Sequence, residues 1–152
     1  MKKAWIAAIA CIGLAGAAPA TAGLLSSTGP VIAIMAGELF TGTAEGHLSG
    51  AGTLAIHSQA RPTLTCTGQF TSSAEKGTAG KGAGKLRCSD GSTATFKFQR
   101  MTMYKGHGSG RFTRGPMSFT YGLTAEEAKP YLLVPKGKKL VQHGTELALV
   151  SP

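Results

Sequence analysis

The chain has 152 residues, a formal net charge of +9 and only seven acidic side chains, so it offers little material for paired-carboxylate catalysis. Gly supplies 22 of the 152 residues, about twice its usual ~7% share. That content is compatible with disorder, but Leu, Ile, Val, Phe and Tyr recur between the glycines at short regular intervals, which specifies a folded β-rich domain.

At the start, Lys2 and Lys3 precede an uncharged apolar run of 14 residues, Trp5 to Ala18. Ala20-Thr21-Ala22 then places small residues at the two positions that signal peptidase reads. The run falls short of the ~20 residues that a transmembrane helix needs, so the pattern predicts a cleavable bacterial signal peptide over 1–22. Lipidation at Cys11 is rejected, because only about five apolar residues would precede it, fewer than the ~7 of a signal core. The expected product is a periplasmic or secreted chain, Gly23–Pro152, of 130 residues with a charge of +7 and no transmembrane anchor.

Residues 23–36 read as a loose leader ending in a short apolar strand, Val31–Met35, and 37–152 as the Gly-rich β domain. A Gly-x-Gly-x-[Leu/Phe] unit occurs three times, at Gly50–Leu54, Gly82–Leu86 and Gly108–Phe112, with a looser cousin at Cys66–Phe70. In an extended chain alternate side chains share a face, so each unit puts two glycines and one large apolar residue together, with Thr, Lys or Arg opposite. Glycines along a strand face mark a bend, a bulge or the close approach of a backbone or ring. Strands are expected near 39–48, 51–58, 62–71, 82–89, 93–100, 106–113 and 116–122. Turns are expected at Ser89-Asp90-Gly91-Ser92, at Arg114-Gly115-Pro116 and in the polar stretch Ser72–Lys81. The fold class is all-β: an antiparallel meander closed as a barrel or folded as a sandwich, with the barrel preferred because repeated glycines let strands curl.

Beyond Tyr121, Thr124-Ala125-Glu126-Glu127 is a capping box, and Pro130 ends the short helix it starts. Lys136–Lys139 is a basic turn, and Leu140–Val150 suits one more hairpin around His143-Gly144. Two cysteines remain after cleavage, Cys66 and Cys88, an even pair in an oxidising compartment without CxxC spacing. A disulfide between them closes a loop of 23 residues, counting both ends, worth ~3 kcal/mol in the chain-entropy model.

Phe40–Leu54, Cys66–Phe70, Gly82–Gly91 with its Cys-Ser-Asp-Gly, and Gly106–Phe112 together resemble a family of short bacterial envelope proteins, many of them lipoproteins. The resemblance covers about 37–122 and implies location and fold rather than chemistry. Leu14-Ala15-Gly16-Ala17 stands where the lipoprotein members carry Leu-Ala-Gly-Cys, which supports a soluble mature form.

The sequence assembles no catalytic set and points to no cofactor. His47, His57, His107 and His143 have no metal-ligand spacing. Asp90 belongs to its own turn, and Gly106–Gly110 lacks the Lys-Ser/Thr ending of a phosphate loop. Positive charge is the remaining lead: Lys76, Lys81, Lys85, Arg87, Lys97, Arg100, Lys105, Arg111 and Arg114. Of these, Lys85, Arg87, Lys97, Arg100 and Arg111 are expected to form a basic strand face for anionic envelope polymers, as against a merely solubilising surface. Export and the scarcity of interleaved aromatics argue against nucleic acid. The expected function is a non-enzymatic envelope binding or structural module, partnered by a polymer or a periplasmic protein. The alternative is an immunity- or inhibitor-type protein that neutralises a toxin or hydrolase.

Overall fold

Large apolar residues and glycines alternate with Thr, Lys and Arg along most of the chain, the pattern of extended strands with one buried face. The structure, a computed structural model describing residues 26–73 and 80–152, resolves that pattern into eight antiparallel strands. These are β1 Ser26–Met35, β2 Glu38–His47, β3 Ala51–Ser58, β4 Thr65–Ser72, β5 Gly80–Cys88, β6 Thr93–Arg100, β7 Gly106–Phe112 and β8 Gly115–Tyr121. Each pairs with the next in sequence, and β1 pairs with β8, so the sheet closes as a barrel and not a sandwich. The expected signal segment 1–22, Gly23–Leu25 and Lys76 lie outside the described residues.

The leader requires a correction. Ser26–Met35 is one continuous strand of ten residues, where the sequence suggested a loose segment with a strand only from Val31. Pro30 and Gly29 disguise it, yet Pro30 sits where two-sided pairing ends: Val31–Met35 faces both neighbours, while Ser26–Pro30 pairs with β2 alone. The Pro30 carbonyl still accepts from the Gly122 N–H at 2.8 Å. A smaller difference is at β4, which starts at Thr65 because 59–64 turns the chain: the Ser58 N–H donates to the Leu64 carbonyl and the Leu64 N–H to that of Arg61.

The barrel interior is filled by side chains, among them Phe40, Leu54, Ile56, Leu86, Phe96, Phe98, Phe112 and Phe119. The repeated glycines make room for rings. A Cβ at Gly84 would stand 2.4 Å from the Phe96 ring, and one at Gly82 would stand 2.2 Å from Phe98. Each ring lies directly across the ladder from its glycine. Phe70–Phe98, Phe96–Phe119 and Phe98–Tyr121 meet edge to face at 5.6, 5.0 and 5.8 Å, a geometry worth ~0.5–1.5 kcal/mol per pair beyond area burial. Cys66 and Cys88 are buried cross-strand partners and form the disulfide expected of them.

A second core lies outside the barrel. The capping box at Thr124 forms as expected, with the Thr124 hydroxyl accepting from the Glu127 N–H. It opens α1, Ala125–Ala128, which runs into a 3-10 turn containing Pro130. The last segment forms the hairpin β9 Lys139–His143 and β10 Glu146–Val150, a separate two-stranded sheet. Ala125, Ala128, Leu132 and Leu147 pack on Ile32, Ile34 and Leu39. β1 is therefore buried on both faces, which explains the unbroken apolar run Val31–Met35.

Candidate functional site

On β5, β6 and β7 the inward positions hold the Gly, Phe and Leu of the core, so the residues between them must face out. Register then places the cations. Lys85 sits between Gln69 and Thr95, Arg87 between Thr67 and Thr93, Lys97 between Ala83 and Ser109, and Arg111 beside Thr95. Strands ~4.8 Å apart, with alternate residues ~6.8 Å apart along each, set neighbouring cations roughly 7–10 Å from one another at the backbone. Four of the five expected site residues thus share one outer face.

Arg100 does not belong with them. It follows Phe96 and Phe98 at the same two-residue spacing and so takes the inward row, at the mouth of the barrel. There its guanidinium donates to the Met103 carbonyl at 3.4 Å and lies close to Tyr121. Burial pushes the Tyr121 phenol up, partly offset by the Arg100 charge. The place of Arg100 on the outer face is taken by Lys81, beside Gln99. The two-residue period starting from Phe96 carried this signal.

Two other cations of the basic list are committed elsewhere. Lys105 pairs with Glu127 at 3.2 Å, and Arg114 pairs with Asp90 while stacking over the Phe112 ring. The Thr124 backbone N–H, and then Lys105, hold the Glu127 carboxyl below its ordinary value. Asp90 is lowered first by the Ser92 hydroxyl and N–H, the turn role expected of it. Lys81, Lys85, Arg87, Lys97 and Arg111 have no carboxylate within 4.0 Å among the described residues. Their charge is available to a ligand.

The ground between them is polar and open. Two adjoining depressions of about 950 and 740 Å³ cross this face and share Gln69, Lys85 and Thr95. Thr43, Thr53, Thr67, Thr71 and Ser109 add hydroxyls, and Glu45 of β2 and Thr28 of β1 line its far end. The arrangement suits a long ligand held by several weak charge contacts and hydroxyl hydrogen bonds. It has the reverse polarity of a membrane-spanning barrel, whose outward band is apolar.

The histidines stand on four different strands. His47 borders the mouth, His57 faces out on β3, His143 ends β9, and His107 stacks on Tyr131 at 4.2 Å. Cys88 is in the disulfide and presents no thiol. Sequence reasoning missed a polar network at the opposite mouth. Glu38 accepts from the buried Ser58 hydroxyl and from Arg61 at 2.7 Å, and Ser58 in turn accepts from the Arg61 N–H at 3.0 Å. Only the fold brings these residues together.

No protein-family model, curated protein or solved structure gives a significant match to this chain.

Proposed function

We propose that the protein is an exported, non-enzymatic component of the bacterial envelope that binds anionic envelope polymers through the outer face of β5–β7. The observation that carries this reading is a set of cations with no carboxylate partner among the described residues: Lys85, Arg87, Lys97 and Arg111 line one Thr- and Gln-rich trough, and Lys81 stands beside Gln99 on the same outer face. A rigid barrel fixes the spacing of those charges, so a polymer of repeated phosphates or carboxylates meets a preformed lattice and little ordering cost falls on the protein. The signal-like N-terminus and the resemblance to short envelope proteins support the envelope as its location.

The test is binding of two probes, lipopolysaccharide and polygalacturonate, measured between about 50 and 500 mM salt, over which the screening length falls from roughly 14 to 4 Å. Affinity is expected to drop steeply across that range. The paired substitution Lys85→Glu with Arg87→Glu is expected to abolish binding and leave the thermal midpoint unchanged. Affinity indifferent to salt, or retained after charge reversal, refutes the reading.

A further inference from the structure

The pairing register of the barrel lines up one row of outward side chains across its strands. From Lys85 the row runs through Thr95 to Arg111 on one side, and through Gln69 and Thr53 to Glu45 on the other. It crosses β2 to β7, a span of roughly 24 Å at ~4.8 Å per strand. Both depressions of the outer face lie along it: Glu45, Thr53, Gln69, Lys85 and Thr95 line the first, and Arg111 lines the second.

Charge is distributed unevenly along this row. Its β5–β7 half holds Lys85 and Arg111, with Arg87 and Lys97 two residues to either side along their strands. Among the residues that line the trough on β2–β4, Glu45 alone is charged. No cation lies within 4.0 Å of it among the described residues. Lys85 stands three strands away, roughly 14 Å at the backbone, beyond the screening length of ~8 Å in physiological salt. The trough therefore has a positive end and a negative end.

A polymer with an acid on every unit gains over β5–β7 and is repelled at Glu45. A chain whose acids are grouped, and whose next units carry only hydroxyls, escapes that repulsion. Its hydroxyls meet Thr43, Thr53, Thr67 and Gln69, which offer both donors and acceptors. A like charge set against the wrong ligand is a source of specificity.

Resting on the polymer-binding reading of this face, we propose that the ligand is an acidic glycan with clustered charges, bound across the strands. Its anionic block lies over Lys85, Arg87, Lys97 and Arg111, and an uncharged, hydroxyl-rich block lies over β2–β4. Glu45 is the specificity-determining residue that disfavours uniformly charged polymers.

The experiment compares two oligogalacturonides of equal length, one fully acidic and one with a free-acid block joined to a methyl-esterified block. Calorimetric titration is run in about 20 mM salt, where screening is weak. Glu45→Gln should raise affinity for the fully acidic probe about twofold, and Glu45→Lys about three- to fourfold, the effect of one and two charges at ~8 Å in water. Affinity for the block probe should stay within about 1.3-fold, because its neutral units lie beside Glu45. Thermal midpoints should not move, since Glu45 is an outer-face residue outside the ion pairs. Backbone amide resonances give a second readout: the block probe should shift Glu45 and Thr53 together with Lys85 and Arg111, and the fully acidic probe should leave Glu45 and Thr53 in place. An equal response of both probes to the Glu45 changes, or shifts that run along one strand instead of across the row, overturns this proposal and leaves the polymer reading standing. Binding of neither probe, or binding that survives Lys85→Glu with Arg87→Glu, overturns both.

Discussion

Among the described residues, the two mouths of the barrel are finished in opposite ways. At the mouth formed by the β1–β2, β3–β4, β5–β6 and β7–β8 turns, polar groups are paired and the turns themselves expose no large apolar side chain, the exposed Leu133 and Val134 belonging to the segment that runs past Gly37. Glu38, Ser58 and Arg61 form a closed network, Asp90 is held by Ser92 and Arg114, and Phe40, Leu64 and the disulfide lie beneath. At the other mouth, Leu48, Met101, Met103 and Tyr104 face solvent, and Arg100 is held by a long contact to the Met103 carbonyl and by Tyr121. Closed polar networks and the disulfide lie toward one end, the edge-to-face rings Phe70, Phe98 and Tyr121 toward the other, and the proposed binding surface runs along the β5–β7 flank. Proteins draw binding surface from the parts whose loss the fold tolerates.

This contrast can be broken by substitution. The largest effect is expected at the sealed end, where Phe40 is fully buried: Phe40→Ala should cost ~3–5 kcal/mol in denaturant unfolding. Leu48→Ala at the open end should change stability by less than ~0.5 kcal/mol. Equal effects at the two ends would dissolve the comparison.

Next comes the disulfide, which ties β4 to β5 close to the sealed mouth. Replacing both Cys66 and Cys88 by Ser should lower stability by ~3 kcal/mol, with polymer binding preserved in the fraction that remains folded.

Glu38→Ala is expected to cost ~1–3 kcal/mol, because the buried Ser58 hydroxyl loses its acceptor. The same contact sets a pH dependence. Arg61, followed by the Ser58 bond, outweighs partial burial and holds Glu38 below its ordinary 4.5. A carboxyl with a depressed folded value contributes stability above the unfolded value and loses it as pH falls through the folded one. Unfolding titrations from pH 6 down to about 3 should therefore show a loss in the wild type that is reduced in Glu38→Ala.

The smallest effect is a gain. The β1–β2 turn places Ala36 at φ +49° and Gly37 at φ +78°, both left-handed, in a two-residue hairpin loop. Ala36→Gly should raise the thermal midpoint slightly, by relief of up to ~1 kcal/mol of backbone strain. A fall would mean that the packing of Ala36 against the core matters more.

Much of this architecture could be read from the residues. The two-residue alternation of Phe96-Lys97-Phe98, the Asp90-Gly91 turn, the capping box at Thr124 and the even cysteine pair all have local physical causes, and each appears where those causes put it. What was hidden depends on contacts distant in sequence. Ser26–Pro30 becomes a strand because β2 offers it a partner, and its own Gly-Pro argues the other way. The outer core on Ile32 and Ile34 needs α1 and the last hairpin to return across β1. For the candidate site, Lys85, Arg87, Lys97 and Arg111 were legible by parity. Arg100 takes the inward row because Phe96 and Phe98 set the phase of β6, which charge alone does not reveal. The ion pairs that occupy Lys105 and Arg114 depend on residues 22 and 24 positions away, beyond any local pattern.

The central claim, that the flank of β5–β7 is the polymer-binding surface, is tested most directly by following backbone amide resonances during a titration with polygalacturonate fragments. The account predicts shifts confined to Gln69, Lys81, Lys85, Arg87, Thr95, Lys97 and Arg111, vanishing at high salt and absent in Lys85→Glu with Arg87→Glu. Shifts centred on Leu48 and Tyr104, or spread evenly over every exposed Lys and Arg, would contradict it.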